Sequence, residues 1–266
     1  ISYIYSATML AESLKRKISL YNNLVSFAPS YKDRSLSDSL LFSRQGLSGS
    51  LPDLPFAREE AEYVAELTRG DLFLNNEASE KSFKSLAGNY DIVHLAMHTL
   101  LNDRMPMHSR MIFSAGGSDE DGFLNTYEIY GIPLKAKMVV LSSCNTGVGL
   151  SYSGEGILSL ARGFIYSGSQ SVIMSLWEIE DRSGTEIVKE FYRNLKKGDS
   201  KSNALRRARV RYMRNADQQR SHPYFWSSLV VYGNNFPVYH LRQIIMVLAA
   251  SVLSAFIVLI IYRRSR

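Results

Sequence analysis

Short apolar runs alternate with stretches of helical period along most of the chain. Asn23 to Ala28 reads as a strand closed by Pro29, and the Ser-, Gly-, Pro- and Asp-rich segment from Ser30 to Pro55 as a long surface loop. Phe56 to Arg69 spaces Ala57, Ala61, Val64, Ala65 and Leu67 among glutamates, a helix that stops at Gly70. Asp71 to Leu74 is a short strand, Ser79 to Asn89 a second helix, and Asp91 to His98 a strand that ends on histidine. Met111 to Ser114 and Gly122 to Leu124 flank a Gly-rich turn and suggest a hairpin, and Thr126 to Tyr130 a short helix. Val139, Val140 and Leu141 form an apolar run that stops at Ser-Ser and presents Cys144. Ile157 to Tyr166 is helical, Ser171 to Trp177 is a buried strand, and helices follow at about 183–197 and 201–215. Phe225 to Tyr232 supplies a last strand or packed segment, and a weaker pattern suggests a helix around Ser6 to Lys17. Strands alternating with helices predict an α/β fold, a mostly parallel sheet with helices on both faces.

The tail has a different pattern. Gln243 to Tyr262 carries no ionisable group except the Tyr262 phenol, and Ile244 to Tyr262 would make roughly 29 Å of helix. The chain therefore divides into a domain over 1–236, a transmembrane helix over 243–262 and a short basic tail over 263–266. Arg263, Arg264 and Arg266 outnumber Arg242, so the positive-inside rule puts the last residues in the cytoplasm. The expected location is a single-pass membrane protein, anchored at its C-terminus, with its domain on the non-cytoplasmic side.

Composition adds limits. At 45% hydrophobic and 21% charged residues the chain is ordinary for a globular domain with a substantial core. The net charge of +6 is unevenly spread, because Lys201, Arg206, Arg207, Arg209, Arg211 and Arg214 crowd one predicted helix. That group reads most simply as a solvated helix face; no zinc-finger spacing or aromatic-interleaved basic motif points to nucleic acid. One cysteine excludes an intramolecular disulfide framework. The chain starts at Ile1 without an initiator Met and reads as the C-terminal part of a longer protein.

The candidate chemistry lies at strand ends. His98 and Cys144, 46 positions apart, each close a predicted strand of one parallel sheet, the edge where open α/β sheets place their sites. A thiol with an ordinary pKa near 8.5 needs a base to become a nucleophile, and histidine supplies one. The plainer alternatives are a cysteine that serves as a small core residue and a structural histidine. His94 and His98 share a strand face, but no third ligand at a plausible spacing makes them a metal pair. The Gly147 to Gly156 loop lacks the Gly-Lys-Ser/Thr of a phosphate loop, and there is no G-x-S-x-G elbow. No cofactor is expected. Asp181, past the Trp177 strand, either shapes a pocket for a basic side chain or caps the helix starting near Ser183, and Glu155 either faces substrate or complements a helix dipole.

Several motifs in order resemble one family: His-Leu-Ala-Met-His98-Thr, Val-Val-Leu-Ser-Ser-Cys144-Asn-Thr-Gly, Gly154-Glu-Gly-Ile-Leu-Ser-Leu-Ala-Arg-Gly-Phe164, Ser171-Val-Ile-Met-Ser-Leu-Trp177 with Asp181, and His222-Pro-Tyr-Phe-Trp226. From about Leu24 to Gly233 the chain is similar to CHAT domains, caspase-like domains of peptidase clan CD that usually follow tetratricopeptide repeats. The resemblance implies a caspase-like fold and a cysteine endopeptidase with His98 and Cys144 as its dyad. It also implies a protein or peptide substrate and regulation by a partner through upstream repeats. The family usually has Gly where this chain has Thr99, beside a position that would help bind the oxyanion, and Ala-Cys-Glu where it has Ser143-Cys144-Asn145. The second expectation is therefore an inactive or weakly active interaction platform at the membrane.

Overall fold

The computed structural model describes residues 22–31, 51, 54–114, 120–142 and 155–240 together with Tyr3, Ala11 and Ser251, with Glu155 described by its backbone alone. In chain order these form β1 (Leu24–Ala28), α1 (Pro55–Thr68), β2 (Asp71–Leu74), α2 (Glu80–Leu86), β3 (Ile92–Ala96), β4 (Thr99–Leu100), β5 (Arg110–Ile112) and β6 (Phe123–Asn125). There follow α3 (Thr126–Ile129), β7 (Met138–Ser142), α4 (Glu155–Tyr166), β8 (Ser171–Ser175), α5 (Asp181–Lys196), α6 (Lys201–Asn215) and β9 (Leu229–Gly233). The main sheet has the order β2-β1-β3-β7-β8-β9, with every pair parallel except β8 with β9.

The four central strands β1, β3, β7 and β8 are buried along nearly their whole length. Such strands are apolar without alternation because helices cover both faces. Alternate side chains go to opposite cores. Val93, Leu95, Val139, Leu141, Val172 and Met174 pack in one core with Phe83 of α2, Ile129 of α3 and Leu160 and Phe164 of α4. Ile92, Met138, Val140 and Ile173 pack in the other with Val64 of α1, Ile187 and Phe191 of α5 and Leu205 of α6. The α/β architecture expected from the sequence is present.

Several ends differ from the expected ones. β3 stops at Ala96, short of His98, because the chain bends at Met97 and leaves the sheet for β4. The expected hairpin is a three-stranded antiparallel sheet, since Thr99 and Leu100 add to β5. β8 ends at Ser175, where its partner β9 begins at Leu229, and Leu176 and Trp177 are exposed. Upstream of β9, Pro223–Phe225 is a 3-10 turn. The small sheet is tied down electrostatically: the Lys84 ammonium lies 2.7, 2.9 and 2.9 Å from carboxylates of Glu80, Glu120 and Glu128. Glu80 also accepts from the Gly122 N–H at 2.9 Å, which links α2 to the turn before β6.

The membrane location expected from the tail is corrected. Among the described residues no helix is long and apolar enough to cross a membrane. Of 243–262 only Ser251 is described, so the anchor, the orientation inferred from Arg263, Arg264 and Arg266, and the non-cytoplasmic placement have no support in the fold. The suggested Ser6 to Lys17 helix lies outside the described residues apart from Ala11, as does most of the Ser30 to Pro55 loop.

One buried charge has a measurable consequence. Lys201, at the start of α6, is 1% exposed and donates to the Asn234 backbone and side-chain oxygens at 3.2 and 2.7 Å, with no carboxylate among its partners. Burial, reinforced by Lys137, lowers its ammonium to about 7. Between that value and the ordinary one near 10.5 the unfolded chain holds a proton that the folded chain releases, so stability from this group rises with pH. Urea unfolding across pH 7 to 10 should show the wild type gaining several kcal/mol relative to Lys201→Met. Parallel pH profiles would contradict the burial argument.

Candidate functional site

β3 and β7 lie side by side, paired Ile92 with Met138 through Ala96 with Ser142, so each partner is 46 positions from the other. His98 follows two residues after the end of β3. Its backbone N–H donates to the Tyr31 hydroxyl at 2.9 Å, and that hydroxyl donates to the Ile112 carbonyl at 2.8 Å. The Tyr31 and His98 rings are 4.8 Å apart between centroids, tilted by 46°. The His98 carbonyl accepts from the Ile112 N–H at 2.9 Å. His98 is 2% exposed and Tyr31 1%. The loop after β3 is therefore held by a tyrosine from beyond β1 and by β5. The sequence pattern gave no signal for Tyr31, which stands in the segment read as a featureless loop.

Thr99 opens β4, paired with Met111 and buried. A β-branched residue suits that extended setting. Cys144 falls within 143–154, outside the described residues. Glu155 is the first residue of α4; the structure gives its place in the helix and no side chain. Next to it Gly156 makes a close approach that requires glycine: a Cβ there would lie 2.8 Å from Ser109 Oγ and 3.1 Å from the Asn102 nitrogen. The Gly156 N–H donates to Asp103 at 2.8 Å, so the start of α4 is fastened to the loop that follows His98.

Asp181 is the first residue of α5, whose N-cap is Glu180, so it does not cap the helix near Ser183. Its carboxylate accepts from the Phe56 N–H at 3.2 Å, near the start of α1. It lines a narrow cavity of about 10 Å³, room for one water molecule, with Glu60, Ile179 and the last residues of β7 and β8, Ser142 and Ser175. His98 is not among the lining residues. Burial pushes the Asp181 carboxyl up to about 6; the Phe56 N–H opposes the shift, and Glu60, Glu180 and Glu59 add repulsion. A carboxyl so displaced, at the carboxyl ends of parallel strands, is what functional sites often show.

Glu60 was not singled out by its sequence context, where it is one of several acids in a helix. It is 1% exposed, and its carboxylate lies 3.1 Å from Nε2 of the buried His94, whose Nδ1 is 3.3 Å from the Tyr192 hydroxyl. His94 thus belongs to a core network joining α1, β3 and α5. Among the described residues one group of carboxylates is close enough to share a cation, Glu80, Glu120 and Glu128, and the Lys84 ammonium sits among them.

Comparison with known proteins bears on this arrangement. The CHAT domain profile matches residues 1–234, starting earlier than the Leu24 expected from the motifs. Human Tetratricopeptide repeat protein 28 is 25% identical over 214 residues, covering 68% of this chain and 8% of that protein. Its mouse counterpart is 24% identical over 214 residues, covering 68% and 9%. The chain thus spans less than a tenth of the length of these relatives. Among solved structures, the Saccharomyces cerevisiae separase–securin complex aligns over 88% of this chain and 13% of that one, with a TM-score of 0.49 and 14% identity. The Arg-specific cysteine proteinase gingipain R aligns over 81% and 46%, with a TM-score of 0.44 and 9% identity.

Two substitutions test the local account. Tyr31→Phe leaves the His98 N–H buried without its acceptor and should cost about 1–3 kcal/mol in chemical denaturation. An unchanged midpoint would show that the hydroxyl bridge is not needed. For Asp181 the folded pKa is raised, so its charge costs stability once pH rises through about 6. Asp181→Asn keeps an acceptor for Phe56 and should melt at a higher temperature than the wild type at pH 8, the gap closing towards pH 4; a constant gap would refute the assignment.

Proposed function

The chain belongs to the CHAT domain family, and on that premise we propose that it is a cysteine endopeptidase in which Cys144 is the nucleophile and His98 the base. The observation that carries the proposal is the register of β3 against β7. The two strands end side by side at Ala96 and Ser142, and His98 and Cys144 each come two residues later in the chain. Neighbouring strands run roughly 4.8 Å apart, so the segments carrying the imidazole and the thiol start from adjacent strand ends.

The chemistry then follows. His98 takes the thiol proton as the sulfur attacks the scissile carbonyl, and returns it to the departing amine. Water, deprotonated by the same imidazole, hydrolyses the thioester and frees the acid. Developing charge on the carbonyl oxygen needs N–H donors; the Cys144 amide and the turn between His98 and Thr99 are the candidates. Asp181 is the candidate to meet a basic side chain of the substrate, which would have to open the cavity of about 10 Å³ that now has room for one water molecule. Glu155, at the start of α4, is a further candidate to face the peptide. Regulation would come from a protein partner through tetratricopeptide repeats, the feature for which the two relatives are named.

The second reading is an interaction platform with little or no turnover. Burial of His98 to 2% exposure and the pairing of Thr99 in β4 favour it, because a base must reach the leaving group and the oxyanion loop must adapt. A thiol-directed peptidyl ketone and a peptide-library cleavage profile separate the two. The peptidase reading expects labelling that Cys144→Ala abolishes and a fall of at least about 10²-fold in cleavage for His98→Ala. Cleavage that survives Cys144→Ala sinks it, and a folded wild type that neither labels nor cleaves supports the platform.

A further inference from the structure

The outer face of α6 combines features that a merely solvated helix does not need. Its buried stripe, Ala204, Leu205, Ala208 and Tyr212, packs on the domain. Opposite it, Arg206, Arg207, Val210, Arg211, Arg214 and Asn215 line an open groove of about 540 Å³. Arg207 is held by Asp199 at 3.2 Å and Arg211 by Glu190 at 3.6 Å, while Arg206 and Arg214 have no ion pair among the described residues.

Neighbouring helices handle their charges differently. α1 pairs Arg58 with Glu62 and α5 pairs Arg182 with Glu186, each four residues apart on one helix. α6 contains no acidic residue, and it stacks Arg207 on Arg211 at the same spacing. Like charges four apart destabilise a helix, so this pattern works against the stability of the free domain. An anionic partner seated in the groove would reverse the sign of that contribution.

We propose that this groove of α6 is a docking site for an acidic helical segment of a protein partner, with carboxylates four and eight residues apart on one face. Arg207 and Arg211 repeat at about 6 Å and Arg206 and Arg214 at about 12 Å along the axis, the repeat of such a helix. Guanidinium forks match carboxylates two bonds at a time, and Val210 offers an apolar seat between them. Nucleic acid fits less well. Among the described residues that line the groove none is aromatic, so a base has no ring on which to stack.

The site stands apart from the peptidase reading, and its test needs no turnover. The probe is a fluorescein-labelled Ala/Gln helix of about 16 residues, three to four turns, with glutamates four and eight apart on one face. Fluorescence anisotropy follows its binding to the full chain. The comparisons are a peptide of the same composition with the glutamates scrambled and a single-stranded DNA of similar length. Binding of the spaced peptide should weaken about tenfold or more in Arg206→Glu/Arg214→Glu, which turns two attractions into repulsions, and less in Arg206→Gln/Arg214→Gln. Arg206 and Arg214 are exposed, and thermal melts check that the variants remain folded. Equal affinity for the spaced and scrambled peptides, tighter binding of the DNA, or charge-reversed binding within a factor of two of the wild type would each overturn the proposal.

Discussion

The parallel pairing of β3 with β7 is the contact on which the rest of the domain depends. It lies at the centre of the main sheet, and each strand is buried on both faces. Hydrogen bonds fix the register along the strands, and alternate side chains are thereby assigned to one core or the other. A slip of one residue would send Val93, Leu95, Val139 and Leu141 into the core built for Ile92, Met138 and Val140, and every packed side chain on both faces would lose its partners. The same register sets Ala96 and Ser142, the last residues of the two strands, side by side.

Beyond the strand ends the fold uses a few long-range contacts to fix the loops. Tyr31 joins the backbone of His98 to β5, and Asp103 with the close approach at Gly156 joins the same loop to α4. Asp181 ties the start of α5 to the start of α1 across the face of the sheet. These are polar contacts made where backbone groups would otherwise be buried without partners. The 2% exposure of His98 shows how tightly this CHAT-family chain encloses its histidine.

Charge is distributed with a similar division of labour. Lys84 gathers three carboxylates and pins the small sheet, and Glu60 and His94 form a pair inside the α1 and α5 core. Removing Lys84 would leave the buried Glu80 carboxyl without its ion-pair partner. α6 differs because its arginines are gathered on an open face instead of being neutralised by its own side chains.

The element order and the burial of the central strands were legible in the sequence, because apolar runs and helical spacing are local consequences of burial on two faces or one. Strand ends were less so. The chain leaves the sheet at Met97 because Thr99 and Leu100 find a partner in β5, and no local pattern announces a partner ten or more residues away. For the same reason Tyr31 and Glu60 looked unremarkable, one in a polar loop and the other among helix glutamates. Asp181, read as either a pocket residue or a cap near Ser183, accepts instead from the start of another helix at Phe56. An apolar tail suggested a membrane location that no described helix supports. The sequence by itself determined which segments must be covered and on how many sides, since hydrophobicity and period are properties of neighbouring residues. The tertiary structure alone decided the 46-position register, the partners of His98 and Asp181 and the open arginine face, since each depends on segments that only folding brings together.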